Sequence, residues 1–134
     1  MKKIILVAAL LFLANAAALA QSATDLSPAQ IASLKKIDAA AKKRAAPVAA
    51  KLAITVKKIY GNMLSGHEDK RRRKGLGAQL HSLTARLLDI KGQSFRDSIK
   101  VLNSSQRTIL RDAIGKPDAP QDMSELIAKT FNLN

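Results

Sequence analysis

Few side chains in this sequence could bind a metal ion. His67 and His81 are the two histidines, Met63, Glu68 and Asp69 lie near the first of them, and there is no Cys. The absence of Cys excludes a thiolate metal site, a disulfide scaffold and cysteine catalysis. The two histidines do not form an HxxxH pair, the spacing that places two ligands on one helix face. We therefore expect no bound metal, with His67 and His81 as the first candidate ligands if one does bind.

The motifs of the common enzyme classes are also missing. None of the patterns GxGxxG, GxxxxGKS, GxxxxGKT, GxSxG and HExxH occurs, and no histidine is placed by a motif beside a nucleophile. Aromatic residues, which line many ligand pockets, make up 3% of the chain. We therefore expect a protein that is not an enzyme and that uses no cofactor.

Basic side chains give the strongest functional signal. Lys and Arg number 23 against 10 Asp and Glu, for a formal net charge of +13. Residues at helical spacing form a mixed basic and apolar face, to which a later helix adds three cations: Lys43, Pro47, Lys51, Ile54 and Lys58, then Arg86, Arg96 and Lys100. Because Asp38 is the only acid within residues 35–58, these cations repel one another. We predict that the face binds acidic or unfolded polypeptides; the alternative is a solvated surface that keeps the protein soluble.

Helices are expected to position these side chains. Apolar residues recur every three or four positions, and no run alternates with the period of two that is typical of strands. Leu26, Ser27, Pro28 and Gln30 form a helix start, in which Ser27 caps the helix and Gln30 returns a hydrogen bond to it. An apolar stripe then follows one helical path: Leu34, Ile37, Ala41, Ala45, Val48, Leu52, Val56, Ile59 and Met63.

Pro47 interrupts this path. Proline lacks the amide hydrogen that would bond to the carbonyl of Lys43, and its ring crowds that carbonyl, which costs about 3 kcal/mol in a straight helix. We therefore expect a kink or a break, with helices at 28–45 and 47–64.

A charged loop and further helices are predicted after residue 64. Residues 67–77 form the loop, because they combine a basic run with two glycines. A third helix follows, with the stripe Leu76, Leu80, Leu83, Leu87 and Ile90. Leu102, Asn103 and Gln106 repeat the helix-start pattern for a fourth helix. Residues 117–134 are predicted as a C-terminal tail with a short amphipathic helix, which either docks on the body or frays.

The sequence therefore predicts an all-α fold, a kinked hairpin of long helices with about four helices in all. The helical domain covers residues 21–116, and the tail follows it. The stripes contain many alanines, so the buried core of a single copy would be small. Pairing two copies would bury more apolar surface, and we expect a homodimer.

The segment 1–20 is predicted to be a cleavable signal peptide. Lys2 and Lys3 precede an apolar run, and the small residues Ala18 and Ala20 fit the positions before a cleavage site. The alternative is a retained membrane anchor, for which the apolar run is at the lower limit of length. We expect cleavage after Ala20 and a periplasmic protein.

The two helix starts resemble the doubled LTxxQ motif of the Spy/CpxP family of periplasmic proteins. The first lies at residues 26–30 and the second at 102–106, with Ser27 and Asn103 in place of Thr. An Ala-Pro pair in the first long path and the basic charge are also similar to that family and to its relatives, the periplasmic heavy-metal sensors. The resemblance implies a cradle-shaped antiparallel dimer, and either an ATP-independent chaperone role or modulation of a membrane stress sensor.

Charge and export together define the expected partners. Clients would be acidic or unfolded proteins, held by charge and by apolar contact with lysine stems and Ile54. The basic run at residues 70–74 would suggest nucleic acid in a cytosolic chain, but export and the few aromatic residues argue against it. A solvated loop is the simplest interpretation of this run, and weak contact with anionic lipid or an acidic sensor domain is the alternative. We predict a periplasmic chaperone-like protein; the alternative is a regulatory adaptor of an envelope-stress or metal-responsive sensor.

Overall fold

The computed structural model describes residues 24–133, and this part of the chain is all-helical, as predicted. Its elements are α1 (Pro28–Leu64), α2 (Lys70–Val101), α3 (Ser104–Ile114) and α4 (Met123–Phe131), with no strand among the described residues. The expected signal peptide at 1–20 lies outside the described residues.

Helix α1 continues through Pro47, so of the two expected outcomes, a kink or a break, the break into separate helices at 28–45 and 47–64 is wrong. Lys43 and Pro47 are both exposed, and water can therefore bind the carbonyl that proline leaves without an amide partner. Val48, the next residue, is buried together with Leu34 on the same stripe. Packing on both sides of the proline keeps one helical path and offsets the local cost.

Helix α2 begins at Lys70, so residues 70–77 are helical and the predicted charged loop at 67–77 is wrong over most of its length. Asp69 is the N-cap, and its carboxylate accepts the backbone N–H groups of Arg71 and Arg72 at 2.9 and 3.1 Å. This cap satisfies two of the free donors at the helix start and places an anion where the helix dipole favours one. The cap offsets part of the cost of the two glycines that follow, each of which costs roughly 1 kcal/mol, and packing of α2 against α1 offsets the rest.

Helices α1 and α2 run antiparallel and contact each other. The side-chain amide of Gln30 donates to the carbonyl of Val101 at 2.8 Å, near one end of the pair. At the other end, the amide of Asn62 donates to the carbonyl of Asp69 at 3.3 Å. The start of α1 therefore lies beside the end of α2, and the end of α1 lies beside the start of α2, so the two helices run in opposite directions.

The buried face of α1 follows a seven-residue spacing. Leu34, Val48, Thr55 and Asn62 are its buried residues, and they are separated by multiples of seven. A seven-residue repeat drifts by about 20° per heptad relative to the 3.6-residue period, as in coiled coils. By the end of the helix, this drift buries Asn62 and leaves Met63 57% exposed, so the prediction that Met63 belongs to the core stripe is wrong.

The apolar core lies at the end of the pair where α3 and α4 pack. Its buried members come from both ends of the described chain: Leu26, Leu34, Leu102, Leu110, Leu126 and Ile127. Two of these residues belong to α4, which the sequence left free either to dock or to fray. In the structure α4 docks on the body. The carboxylate of its N-cap Asp122 forms an ion pair with Lys91 Nζ at 2.8 Å.

Candidate functional site

Both predicted capping boxes are present. At the start of α1, Ser27 Oγ accepts the backbone N–H of Gln30 at 3.2 Å, and the Ser27 N–H donates to Gln30 Oε1 at 2.9 Å. At the start of α3, Asn103 Oδ1 and Gln106 Oε1 are the acceptors of the same reciprocal pair, both at 2.9 Å. Replacing Thr of the LTxxQ pattern by Ser27 and Asn103 therefore keeps the cap, because each side chain still offers an oxygen at the N-cap position.

The two glutamines also bind each other, although they are 76 positions apart. Gln30 Nε2 donates to Gln106 Oε1 at 2.9 Å, and Gln106 Nε2 donates to Gln30 Oε1 at 3.1 Å. The Gln106 amide also donates to the carbonyl of Asp25 at 2.8 Å, and Gln106 is only 1% exposed. Leu26 and Leu102 are buried in the adjoining core. The two motifs thus form one buried structural unit, which the sequence alone did not predict.

The basic residues predicted on α1 lie on its surface. Lys43, Lys51 and Lys58 are exposed, and none of them forms an ion pair with another residue of the described segment 24–133. Ile54 lies between them at helical spacing and is 53% exposed. Lys36, seven residues before Lys43, extends the same face and was missed, although its spacing could have indicated it.

Three cations of α2 were also predicted to belong to the site, and all three are exposed. Arg86 forms no ion pair within the described segment. Arg96 donates from Nη2 to Gln93 Oε1 at 3.1 Å, and Lys100 forms an ion pair with Asp97 at 3.2 Å. Hydrogen bonds from Gln93 and Lys100 lower the pKa of Asp97 below its usual value of 3.8. Lys100 therefore carries less uncompensated charge than Arg86.

The cations of α1 and α2 lie on one side of the helix pair. Helix α4 covers the opposite side, where Asp122 pairs with Lys91 and Ile127 joins the core beside Leu34. Along each long helix, the basic residues lie on one side of the buried stripe. The residues that α4 covers lie on the other side of that stripe. We call this surface the basic face; it consists of Lys36, Lys43, Lys51, Ile54, Lys58, Arg86, Arg96 and Lys100.

The basic run at residues 70–74 forms the exposed first turns of α2, at the end of the pair away from the core. One of its cations is paired, because Arg73 contacts Glu68 at 2.9 Å. The other four cations form no ion pair within residues 24–133.

The two histidines lie apart from any ligand cluster. His67 is exposed in the turn between α1 and α2, and His81 is exposed on α2. Because α1 ends at Leu64, His67 does not continue the helix face of Met63. Within the described part of the chain, no group of three or more His, Cys, Asp and Glu side chains is arranged to hold a metal ion.

Taken over residues 24–133, no helix combines the length and the apolar character that crossing a membrane requires. Compared with family models, with curated proteins and with solved structures, the chain matches none of them. The resemblance to the Spy/CpxP family therefore stays a prediction, and the function is argued from the geometry.

Proposed function

We propose that this protein is an ATP-independent chaperone-like protein that holds unfolded or acidic polypeptides on its basic face. The observation that carries the proposal is the set of exposed lysines without ion pairs, Lys43, Lys51 and Lys58, around the exposed Ile54. Cations that no carboxylate of the described chain neutralises attract acidic segments, and the lysine stems and Ile54 offer apolar contact to unfolded ones.

Binding of this kind is weak for each contact. An exposed ion pair contributes about 0.2–1 kcal/mol, so a client needs several contacts at once. Salt screens such contacts, because the Debye length is about 8 Å at physiological ionic strength. Fast, reversible and salt-sensitive binding is expected, which suits a protein that delays aggregation without using nucleotide.

The proposal includes export through residues 1–20 and assembly into a cradle-like antiparallel dimer. The basic n-region and apolar run support export, and the similarity to the Spy/CpxP family supports the dimer. The small core, with eight buried apolar residues among the described ones, supports pairing because a second copy would cover more apolar surface.

The test is suppression of aggregation of two reduced clients, acidic α-lactalbumin and basic lysozyme. The triple variant K43Q/K51Q/K58Q should protect α-lactalbumin about tenfold less well, since three exposed contacts together contribute about 1.5 kcal/mol. The matched control, K35Q/K74Q/K116Q, removes the same charge from exposed lysines off the basic face and should protect as the wild type does. Raising NaCl from about 20 to about 300 mM should weaken protection of the acidic client more than that of the basic one. Equal loss in both variants, or protection unaffected by salt, contradicts the proposal.

A regulatory adaptor is the second candidate, and the exposed basic run at residues 70–74 favours it. Four unpaired cations at the far end of the helix pair offer a surface for an acidic sensor domain. The two functions separate in one measurement, because a chaperone protects several unrelated clients, whereas an adaptor binds one partner tightly and protects none. Calorimetric titration with nickel, copper and zinc tests the metal-responsive version of the adaptor.

A further inference from the structure

Helix α4 occupies part of an apolar groove between α1 and α2. The groove lies on the side opposite to the basic face, and Ile127 of α4 joins the core there beside Leu34. The carboxylate of Asp122, at the start of α4, accepts Lys91 Nζ at 2.8 Å. These two contacts show how the groove binds one helix. An apolar side chain of the helix packs between α1 and α2, and a carboxylate at its start pairs with a lysine at the edge of the groove.

The groove does not end where α4 ends. A cavity of about 360 Å³ lies at the N-terminal end of α4, and apolar side chains of all three helices line it. They include Ala45 of α1, Leu88 and Phe95 of α2, and Met123 of α4. Leu88 is 65% exposed, so the cavity is open to solvent at this side chain.

Beyond the cavity, the same two helix faces continue without a charged residue. The positions follow at spacings of three, four or seven from those under α4: Ala49, Ala53, Val56, Tyr60 and Met63 on α1, and Thr84, Leu80 and Gly77 on α2. Tyr60 is 60% exposed and Met63 57%. We call these residues, together with Leu88, the open groove. Its small residues allow the backbone of another helix to approach closely. Its exposed large apolar side chains are typical of an interaction surface.

We propose that the open groove is a docking site for an amphipathic helix of a partner protein whose polar face is acidic. Continuity with the groove under α4 supports a helical occupant, because the same two helix faces already accept one. Charge supports an acidic polar face: Lys70 borders the open groove at one end, is exposed and has no ion pair within the described chain, and the chain carries 23 basic against 10 acidic side chains. A second copy fits this groove less well, because its charged side chains are mostly basic, 23 against 10. The dimer proposed above is expected to pair through another surface. The site lies beyond the proposed chaperone function, because it uses the opposite side of the helix pair.

The probe is a fluorescein-labelled peptide of 18 residues with Leu and Ile at helical spacing on one face and Glu on the other. Its controls are a scrambled peptide of the same composition and a version with Lys in place of Glu. Fluorescence anisotropy at physiological ionic strength should show binding of the acidic amphipathic peptide and much weaker binding of both controls. Equal affinity for the scrambled peptide overturns the proposal, because charge alone would then explain the binding.

Matched variants locate the site. Leu88→Gln should weaken peptide binding by about tenfold, as expected from losing one buried leucine contact. Ile114→Gln makes a similar change at an exposed position of α3, in neither the basic face nor the open groove, and should leave peptide binding unchanged. Circular dichroism checks that both variants fold. Peptide binding by Leu88→Gln that is unchanged from wild type overturns the proposal. A second result also overturns it: on a sizing column the wild type is a dimer and Leu88→Gln is a monomer, while neither protein binds the peptide. A second copy of the chain then fills the groove. Failure of the chaperone proposal would appear separately, as client protection unaffected by Ile54→Gln and by the triple lysine variant.

Discussion

At the scale of residues, the reciprocal amide pair of Gln30 and Gln106 stabilises the end of the molecule where the core lies. Each glutamine caps its own helix start with Oε1 and donates from Nε2 to the other glutamine and to a distant carbonyl. No buried side-chain N or O atom within residues 24–133 lacks a hydrogen-bond partner. A fully satisfied polar network of this kind fixes one arrangement of the helices, because any other arrangement would leave buried donors and acceptors unpaired.

Gln106→Ala should lower the free energy of unfolding by about 1–3 kcal/mol, because it removes the hydrogen bonds of Gln106 with the Gln30 amide, the Asp25 carbonyl and the Asn103 N–H. Gln30→Ala should have a similar effect, and the double variant should lose less than the sum of the two, since the bonds between the two amides are already lost in either single variant. Urea denaturation followed by circular dichroism measures all three. Gln121→Ala, at an exposed position outside the helices, is the control and should change little. Strictly additive losses would show that the two amides act independently.

At the scale of elements, the passage of α1 through Pro47 is the clearest case of packing that outweighs local preference. Val48 and Leu34 are buried on either side of the proline, while Pro47 itself faces solvent. The proline still removes one backbone hydrogen bond, so the helix carries a local cost that its packing offsets.

Pro47→Ala should therefore raise the free energy of unfolding by about 1–3 kcal/mol, because it restores the hydrogen bond to the Lys43 carbonyl and relieves crowding. Thermal and urea denaturation measure the change. Pro117→Ala, in a turn outside the helices, should give no gain, because proline there only restricts the unfolded chain. A Pro47→Ala protein that is no more stable than wild type would mean that the helix accommodates the proline without cost.

Docking of α4 should depend on pH through Asp122. The hydrogen bond from Lys91 lowers the pKa of Asp122 below its usual value of 3.8, against a smaller opposing effect of burial. A carboxyl whose pKa is lowered by folding stabilises the folded state above its unfolded pKa and loses this contribution as pH falls through the folded value. Lys42 and Asp38 lie nearby on α1 and form their own ion pair at 2.7 Å.

Amide hydrogen exchange in residues 123–131, corrected for the intrinsic pH dependence of exchange, should therefore show weaker protection as pH falls from about 5 to about 3. Asp122→Asn should reduce this pH dependence and lower protection at pH 5. Some dependence should remain, because Lys129 also lowers the pKa of Asp118 in the preceding turn. Protection of α4 in Asp122→Asn that matches wild type at every pH would contradict a role for the carboxylate.

At the scale of the whole molecule, repulsion among cations outweighs attraction between ions. The described residues form five ion pairs, all on the surface, whereas the chain carries 23 basic and 10 acidic side chains. Surface pairs contribute about 0.2–1 kcal/mol each, and salt weakens them together with the repulsion. Because the unpaired cations are more numerous, screening should help the folded state on balance.

Raising NaCl from about 20 to about 200 mM should therefore raise Tm by a few degrees. The triple variant K43Q/K51Q/K58Q should start from a higher Tm at low salt and gain less on adding salt, since part of the repulsion is already gone. Differential scanning fluorimetry measures both. A Tm that falls with salt would show that the five ion pairs matter more than the repulsion, and would remove the argument that the basic face calls for an anionic partner.

The sequence by itself determined the helical class, both helix starts and the positions of the cations. These features depend on residues within one or two turns of one another: Ser27 with Gln30, Asn103 with Gln106, and the helical spacing of Lys43, Lys51 and Lys58. A cap or a surface stripe needs no distant partner, so local patterns were enough to predict it.

Only the tertiary structure decided how these elements combine. It brought Gln30 and Gln106 together, carried α1 through Pro47, and docked α4 on the side of the pair opposite to the basic face. The start of α2 at Lys70 was missed because the cap of Asp69 competes with glycines and like charges, and local preference alone did not favour the helix. In each case the outcome depends on contacts between segments far apart in the chain. The free energy of these contacts exceeds the roughly 1–3 kcal/mol by which a proline or glycines disfavour a helix locally.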